Sequence, residues 1–272
     1  MKTQLRLFTL ILTLVSVLSS GCASLPIGKE PSDAEINAEA AKAYAEVKAK
    51  SKLSTNAEWN AMVQRVANRI AASSGEKFNW ETILIESPEV NAWCMPGGKM
   101  AVYTGIMPVL KTEAALAAVM GHEVAHATRR HGKQRYARAI KESLAGLVIG
   151  AGAIAAGQLL CKDATCKTLT GLGGAAAGLA VTFFSRKFSR DDETDADKFG
   201  QIYMAKAGYD PSEAGRLWDR MAAASGGQAP PEFLSTHPSN TTRKSALNSW
   251  LPEAQAAYQQ APAKYGLGAP IK

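Results

Sequence analysis

The stretch "AVMGHEVAHATRRHG", Ala118 to Gly132, holds three of the chain's four histidines. Two of them bracket a glutamate in the order H-E-x-x-H: His122, Glu123 and His126. Residues on an α-helix advance by about 100° each, so His122 and His126 fall about 40° apart on one face and can reach one metal ion. Glu123 sits beside that face, placed to act on a water at the metal without ligating it. The surrounding residues support a helix. Thr112 is a side-chain cap, Glu113 lies in the first turn, and the segment reads as continuous through Arg129, Arg130 and His131 to Gly132.

A hydrolytic zinc site uses three protein ligands and keeps a fourth position open. His131 is nine positions after His122, about 180° round a continuous helix, so it does not supply the third ligand. The metzincin continuation fails as well, because Arg129 and Gly132 stand where glycine and histidine are required. The candidate lies in "SRDDETDADKFGQIYMAKAG", residues 189–208. Ala196, Gly200, Tyr203, Met204 and Ala207 form an apolar helix face, and Glu193 falls about 20° from Gly200 on that face. Asp191 and Asp192 suit a helix start electrostatically. A carboxylate amid core residues needs a partner, and one zinc ion per chain provides it. Asp197, one turn later, is placed to hold a ligand histidine by its second ring nitrogen.

The rest of the chain supplies the scaffold. Its 272 residues carry a formal charge of +7, a modest excess that gives no indication of nucleic-acid binding. Ser32 and Glu35 make a capping box before a helix with Ile36, Ala40, Tyr44 and Val47 on one face. A second helix starts near Asn56, with Trp59, Met62, Val63, Val66 and Ile70 as its stripe. Between Trp80 and Ile106 the period changes to short β-rich runs, broken by Ser87-Pro88 and Pro96-Gly97-Gly98, which read as a small antiparallel meander. Further helices are expected at about 190–207, 211–224 and 240–250. Residues 144–160 and 169–184 are Gly/Ala-rich and shorter than a membrane span. They read as a tight helical hairpin turning at "CKDATC". Cys161 and Cys166 flank that turn and are the natural disulfide pair in an oxidising compartment, leaving Cys94 as a buried thiol.

The first residues read as targeting sequence. Lys2 and Arg6 precede an apolar run, Leu7 to Leu18, and small residues end in Gly21-Cys22. This is the pattern of a signal peptide over 1–21. The end of it resembles a bacterial lipoprotein cleavage box, which makes Cys22 a lipidation site and residues 22–31 a lipidated tether. By the same resemblance, Ala23 points to the periplasmic face of the outer membrane in a bacterial cell envelope.

Four pieces, "NAWCMPGGKMAVYTGI", "TEAALAAVMGHEVAHATRRH", "SRDDETDAD" and "THPSNTTR", resemble in order the HtpX/BepA/LoiP-type gluzincin metallopeptidases, peptidase family forty-eight. The resemblance implies an α+β, mainly helical zincin-like domain over 32–260, with a small antiparallel sheet and an HExxH active-site helix, the hairpin inserted at 144–184, and a tail at 261–272. It implies zinc ligands His122, His126 and Glu193, with Glu123 activating the water, and it places Asp197 where the family's aspartate is sometimes described as a proton donor. The activity implied is that of a metalloendopeptidase acting on extended or misfolded polypeptides, in quality control of extracytoplasmic proteins. His237, in "LSTHPSN", matches a family loop at the metal cleft, where it is either a hydrogen-bond donor to the oxyanion or a fourth ligand that keeps the enzyme latent. Two rival readings stay open: a lipid-anchored chaperone or binding protein with a closed four-ligand zinc site, and an integral membrane protease built on the 144–184 hairpin. The sequence carries no reading of oligomeric state.

Overall fold

The computed structural model describes residues 31–138, 188–224, Phe233, His237 and 241–272. The signal segment, Cys22, the 144–184 hairpin and the Cys161–Cys166 pair lie outside the described residues.

Helix α1 (Asp33–Lys50) begins at Ser32, whose hydroxyl accepts from the Glu35 amide while the Glu35 carboxylate returns to the Ser32 backbone. Helix α2 (Ala57–Ser74) begins at Asn56, whose side-chain oxygen accepts from the Trp59 amide, and ends at Gly75 in the left-handed region. A three-stranded sheet follows: β1 (Glu81–Ile85), β2 (Ala92–Met95) and β3 (Lys99–Tyr103). Its order is β1-β3-β2. The β2–β3 pair is antiparallel, joined through Gly97 and Gly98, both at positive φ (78° and 84°). The β1–β3 pair is parallel, so the sheet is mixed where an antiparallel meander was expected. The connection after β1 is too long for a two-residue hairpin turn. It is anchored to the far end of β3 by Gly105 N–H to the Ser87 carbonyl (2.8 Å), which leads the chain past β3 before β2 begins.

The strands alternate between two cores. Leu84, Ala92, Cys94, Met100 and Val102 pack toward α2 and α4 (Glu113–Thr128), which follows the short α3 (Met107–Leu110). Ile83, Ile85, Trp93, Met95, Ala101 and Tyr103 pack toward α1, so the sheet lies between two helical layers. All sixteen residues of α4 are buried. A helix hydrophobic on every side, with little amphipathic bias, belongs in the middle of a domain.

Helix α5 (Arg190–Lys206) crosses α4 at the closest backbone approach relevant to the site. A Cβ on Gly200 would stand 2.7 Å from the His122 backbone nitrogen, and one on Gly121 would stand 2.6 Å from the Gly200 carbonyl oxygen. Only glycine at both positions lets the two backbones meet, and this contact carries Glu193 onto the HExxH face. Helices α6 (Glu213–Ala224) and α7 (Thr241–Gln259) complete the layer, α7 continuing through Pro252 beyond its expected end.

Two further differences concern the ends of α4. The helix stops at Thr128, not at Gly132. Arg129 is its C-cap, Arg130 takes a positive φ of 61°, and a new helical segment runs over residues 131–138. Arg130 is held in that conformation by Asp33, Glu76 and the Thr128 carbonyl. The expected tail, 261–272, is a strap on the start of α4. The Glu113 and Ala114 amides donate to the Ala269 and Leu267 carbonyls at 2.9 and 3.0 Å, satisfying donors that a helix N-terminus leaves open. Among the described residues no helix is long and apolar enough to cross a membrane.

Candidate metal centre

His122 and His126 project from α4 with their Nε2 atoms 3.0 Å apart. Glu193 reaches in from α5, Oε2 lying 3.5 Å from His122 Nε2 and Oε1 lying 3.6 Å from His126 Nε2. His237 closes the group, its Nδ1 2.8 Å from Glu193 Oε1 and 3.2 Å from His122 Nε2. One ligand-type atom from each of the four residues lies within 4.8 Å of all the others, and every one of the four is buried. Tetrahedral zinc with bonds near 2.0–2.1 Å separates its ligand atoms by roughly 3.3 Å, so these spacings fit a single ion.

The electrostatics also fit a cation. Burial would lower His122, but the Asp197 and Glu193 carboxylates outweigh it and raise the imidazole to about 9. Burial would raise Glu193, but His237 and His122 outweigh it and hold the carboxyl well below the usual range. His126 is pushed well below the ordinary histidine value by burial, reinforced by His122. Glu193 Oε2 is buried without a hydrogen bond of proper geometry, although Arg243 Nη1 stands 2.9 Å away as an ion-pair partner. A buried carboxylate oxygen so placed is suited to a metal.

Glu123 lies beside the group, its Oε1 3.4 Å from His237 Nε2 and without a hydrogen-bond partner. The Cys94 amide of β2 donates to the same carboxylate. Burial raises the Glu123 carboxyl above its ordinary value, with the two histidines opposing. Cys94 itself is a free, buried thiol, as the sequence suggests.

Asp197 stands behind His122, not in front of it. Its Oδ1 lies 3.0 Å from His122 Nδ1, and both oxygens are gripped by Arg243, Nη2 to Oδ1 and Nε to Oδ2, each at 2.6 Å. Burial would raise Asp197, but Arg243 and His122 outweigh it and hold its carboxyl low. Both of its oxygens are thus occupied on the side away from the cluster, an arrangement that fits a carboxylate orienting the His122 ring. Arg243 was not singled out by the sequence. It is buried, stacks at 4.0 Å over Trp218, and also donates to the His237 carbonyl. It thus braces Asp197, Glu193 and His237 together. Its signal lay in "THPSNTTR", where an arginine in the first turn of α7 reads as an ordinary surface cation until the tertiary structure buries it.

A buried His–His–Glu group on two crossing helices, with a free glutamate at its side, is the site of a zinc-metallopeptidase domain of the gluzincin kind. The Peptidase family M48 model matches residues 53–251. The chain therefore belongs to peptidase family M48. It is 39% identical over 196 residues to the mitochondrial metalloendopeptidase OMA1 of Schizosaccharomyces pombe, covering 71% of this chain and 53% of that protein. It is 33% identical to the Saccharomyces cerevisiae protein of the same name, covering 67% and 50%, and 31% identical to a putative beta-barrel assembly-enhancing protease of Vibrio cholerae, covering 66% and 36%. The chain spans about half the length of the first two relatives.

The mitochondrial relatives overturn the location expected from residues 1–23. The fungal proteins at 39% and 33% identity are mitochondrial metalloendopeptidases by name, so placement on the periplasmic face of a bacterial outer membrane does not stand. The physical reason is that a charged start and an apolar run identify a segment that leaves water, not the membrane that receives it.

Proposed function

We propose that this chain is a zinc-dependent metalloendopeptidase in which His122, His126 and Glu193 hold the metal and Glu123 is the general base. The observation that carries this reading is the convergence of the two imidazole Nε2 atoms and the Glu193 carboxylate, with the unpartnered Glu123 Oε1 beside them. A zinc ion held there supplies Lewis acidity to a peptide carbonyl and acidifies a water. Glu123 takes the proton of the attacking water on Oε1, and its raised proton affinity suits it to pass that proton to the leaving nitrogen. Asp197 and Arg243 hold His122 and Glu193 in place throughout. Strand β2 pairs only with β3 among the described residues and braces Glu123 through Cys94. An extended polypeptide adding along its outer edge would bring a carbonyl to this point. Extended or misfolded polypeptides are the substrate class this geometry supports, and their removal is the role proposed.

His237 supports a second, compatible reading: a resting state. A hydrolytic site needs an open position, and the His237 imidazole stands where that position would be. His237 then has to swing away before a peptide binds, in contrast with a role as oxyanion donor.

The test is metal analysis and casein cleavage with the full chain. Stoichiometric zinc and chelator-sensitive cleavage are expected. His237→Ala should raise the rate if the side chain plugs the site, whereas a fall of about 100-fold would assign it to the oxyanion. A zinc-loaded chain inert toward every unfolded polypeptide, in both forms, would favour the binding-protein alternative.

A further inference from the structure

His131 is set aside by helical geometry when the helix is taken as continuous to Gly132. The structure returns it to the metal centre by a different route. Helix α4 ends at Thr128, and Arg130, at a φ of 61°, reverses the chain. The His131 ring therefore does not trail round the far side of the helix. Its Nδ1 comes to 3.0 Å from His126 Nδ1, the nitrogen of His126 that faces away from the cluster. Its Nε2 lies 3.1 Å from Asp195 Oδ2, and Arg129 Nε donates to that same oxygen at 2.6 Å.

Donors and acceptors along this row can be assigned by elimination. An ionised carboxylate only accepts, so Asp195 requires a proton on His131 Nε2. A neutral imidazole with a proton on Nε2 has a bare Nδ1, which accepts. His126 must then carry its own proton on Nδ1 and donate it to His131. That leaves His126 Nε2 with its lone pair directed at His122, Glu193 and His237. His131 is buried.

We propose that His131 is a positioning residue for the metal site: with Asp195 behind it, it fixes the tautomer and ring orientation in which His126 offers Nε2 to zinc. The inference rests on the reading of His126 as a ligand. It makes the two ligand imidazoles equivalent in design, since each has its Nδ1 proton engaged from behind, His122 by Asp197 and His126 by His131. Partners of this kind tune metal affinity by about 10–100-fold.

The experiment measures zinc affinity of the full chain by chelator competition, with the rate at saturating zinc as a second readout. His131→Phe keeps a ring without an acceptor and should weaken zinc binding by about 10–100-fold, while the rate at saturating zinc falls far less. His131→Asn places an amide oxygen near the position of Nδ1 and should recover most of that affinity. Asp195→Asn, at a partly exposed position, should weaken zinc binding several-fold. Parent-like zinc affinity in His131→Phe, or equal losses in the Phe and Asn variants, would overturn the proposal, as would unchanged affinity in Asp195→Asn if the ring variants do not fold. His126→Ala separates this from the underlying reading: if that variant keeps stoichiometric zinc, the ligand assignment fails, independently of His131.

Discussion

Glu113 and Glu123 lie ten residues apart on α4, both are buried, and their surroundings are opposite. Glu113, in the first turn, is saturated. Arg65 donates to both of its oxygens at 2.9 and 3.1 Å, Arg69 at 3.2 Å, the Tyr209 hydroxyl at 2.7 Å and the Ala269 amide at 3.1 Å. Those partners outweigh burial and hold its carboxyl below the ordinary value. Glu123, in the metal turn, has the Cys94 amide and one bare oxygen, and burial raises its carboxyl. A saturated acid fastens the helix to α2, to Tyr209 and to the carboxy-terminal strap. An unsaturated one holds a reactive lone pair at a cost in stability. Burial alone does not separate structural from chemical carboxylates; partner count does.

Replacing each glutamate by glutamine is the sharpest way to break this contrast. Glu123→Gln should lower peptidase activity by about 1,000-fold or more while zinc is retained and the thermal midpoint is equal or higher. Parent-like cleavage, or loss of zinc with it, would end the distinction. Gly200→Ala should come next. Its methyl group meets His122 backbone, so α5 must back away, at a cost of about 1–3 kcal/mol and with zinc affinity falling alongside. Denaturant unfolding and chelator competition measure the two, and a loss of stability without any change in zinc affinity would show that the crossing does not position Glu193.

Glu113→Gln should do the reverse of Glu123→Gln, leaving activity at permissive temperature near parent and removing about 2 kcal/mol of stability. The loss has a definite pH dependence. Because the folded-state value lies below that of the unfolded chain, Glu113's contribution is complete above the ordinary glutamate range and is lost as pH falls through the folded value. The gap between parent and variant in urea midpoints should therefore be full at pH 7 and narrow on acidification; a gap that widens would be fatal to the assignment. Tyr209→Phe, which removes one donor to Glu113 and an acceptor for Arg69, should cost only about 1 kcal/mol, with activity intact.

Much of this was legible in the sequence because it is local. The H-E-x-x-H spacing fixes two imidazoles on one face whatever surrounds them. The capping residues Ser32, Asn56 and Thr112 each satisfy amides within their own first turn. Glu193 was singled out because a carboxylate broke an otherwise apolar helix face, and Asp197 because it followed one turn later; the structure brings both to His122. These inferences need only a helical period and the cost of burying charge.

What the sequence could not show depends on where distant segments meet. Arg130 at a positive φ is imposed by Asp33 and Glu76 from two other parts of the chain, and it turned a discarded histidine into a neighbour of His126. Arg243 became a brace only when α7 packed on α5. The parallel β1–β3 pairing follows from a loop anchored to the end of β3, and the role of residues 261–272 as a strap from a fit to helix donors 150 residues earlier. Local periodicity determined which residues can share a face. Long-range packing decided which nitrogen or oxygen each of them turns toward the metal, because that choice is made by the partner behind the side chain and not by the helix that carries it.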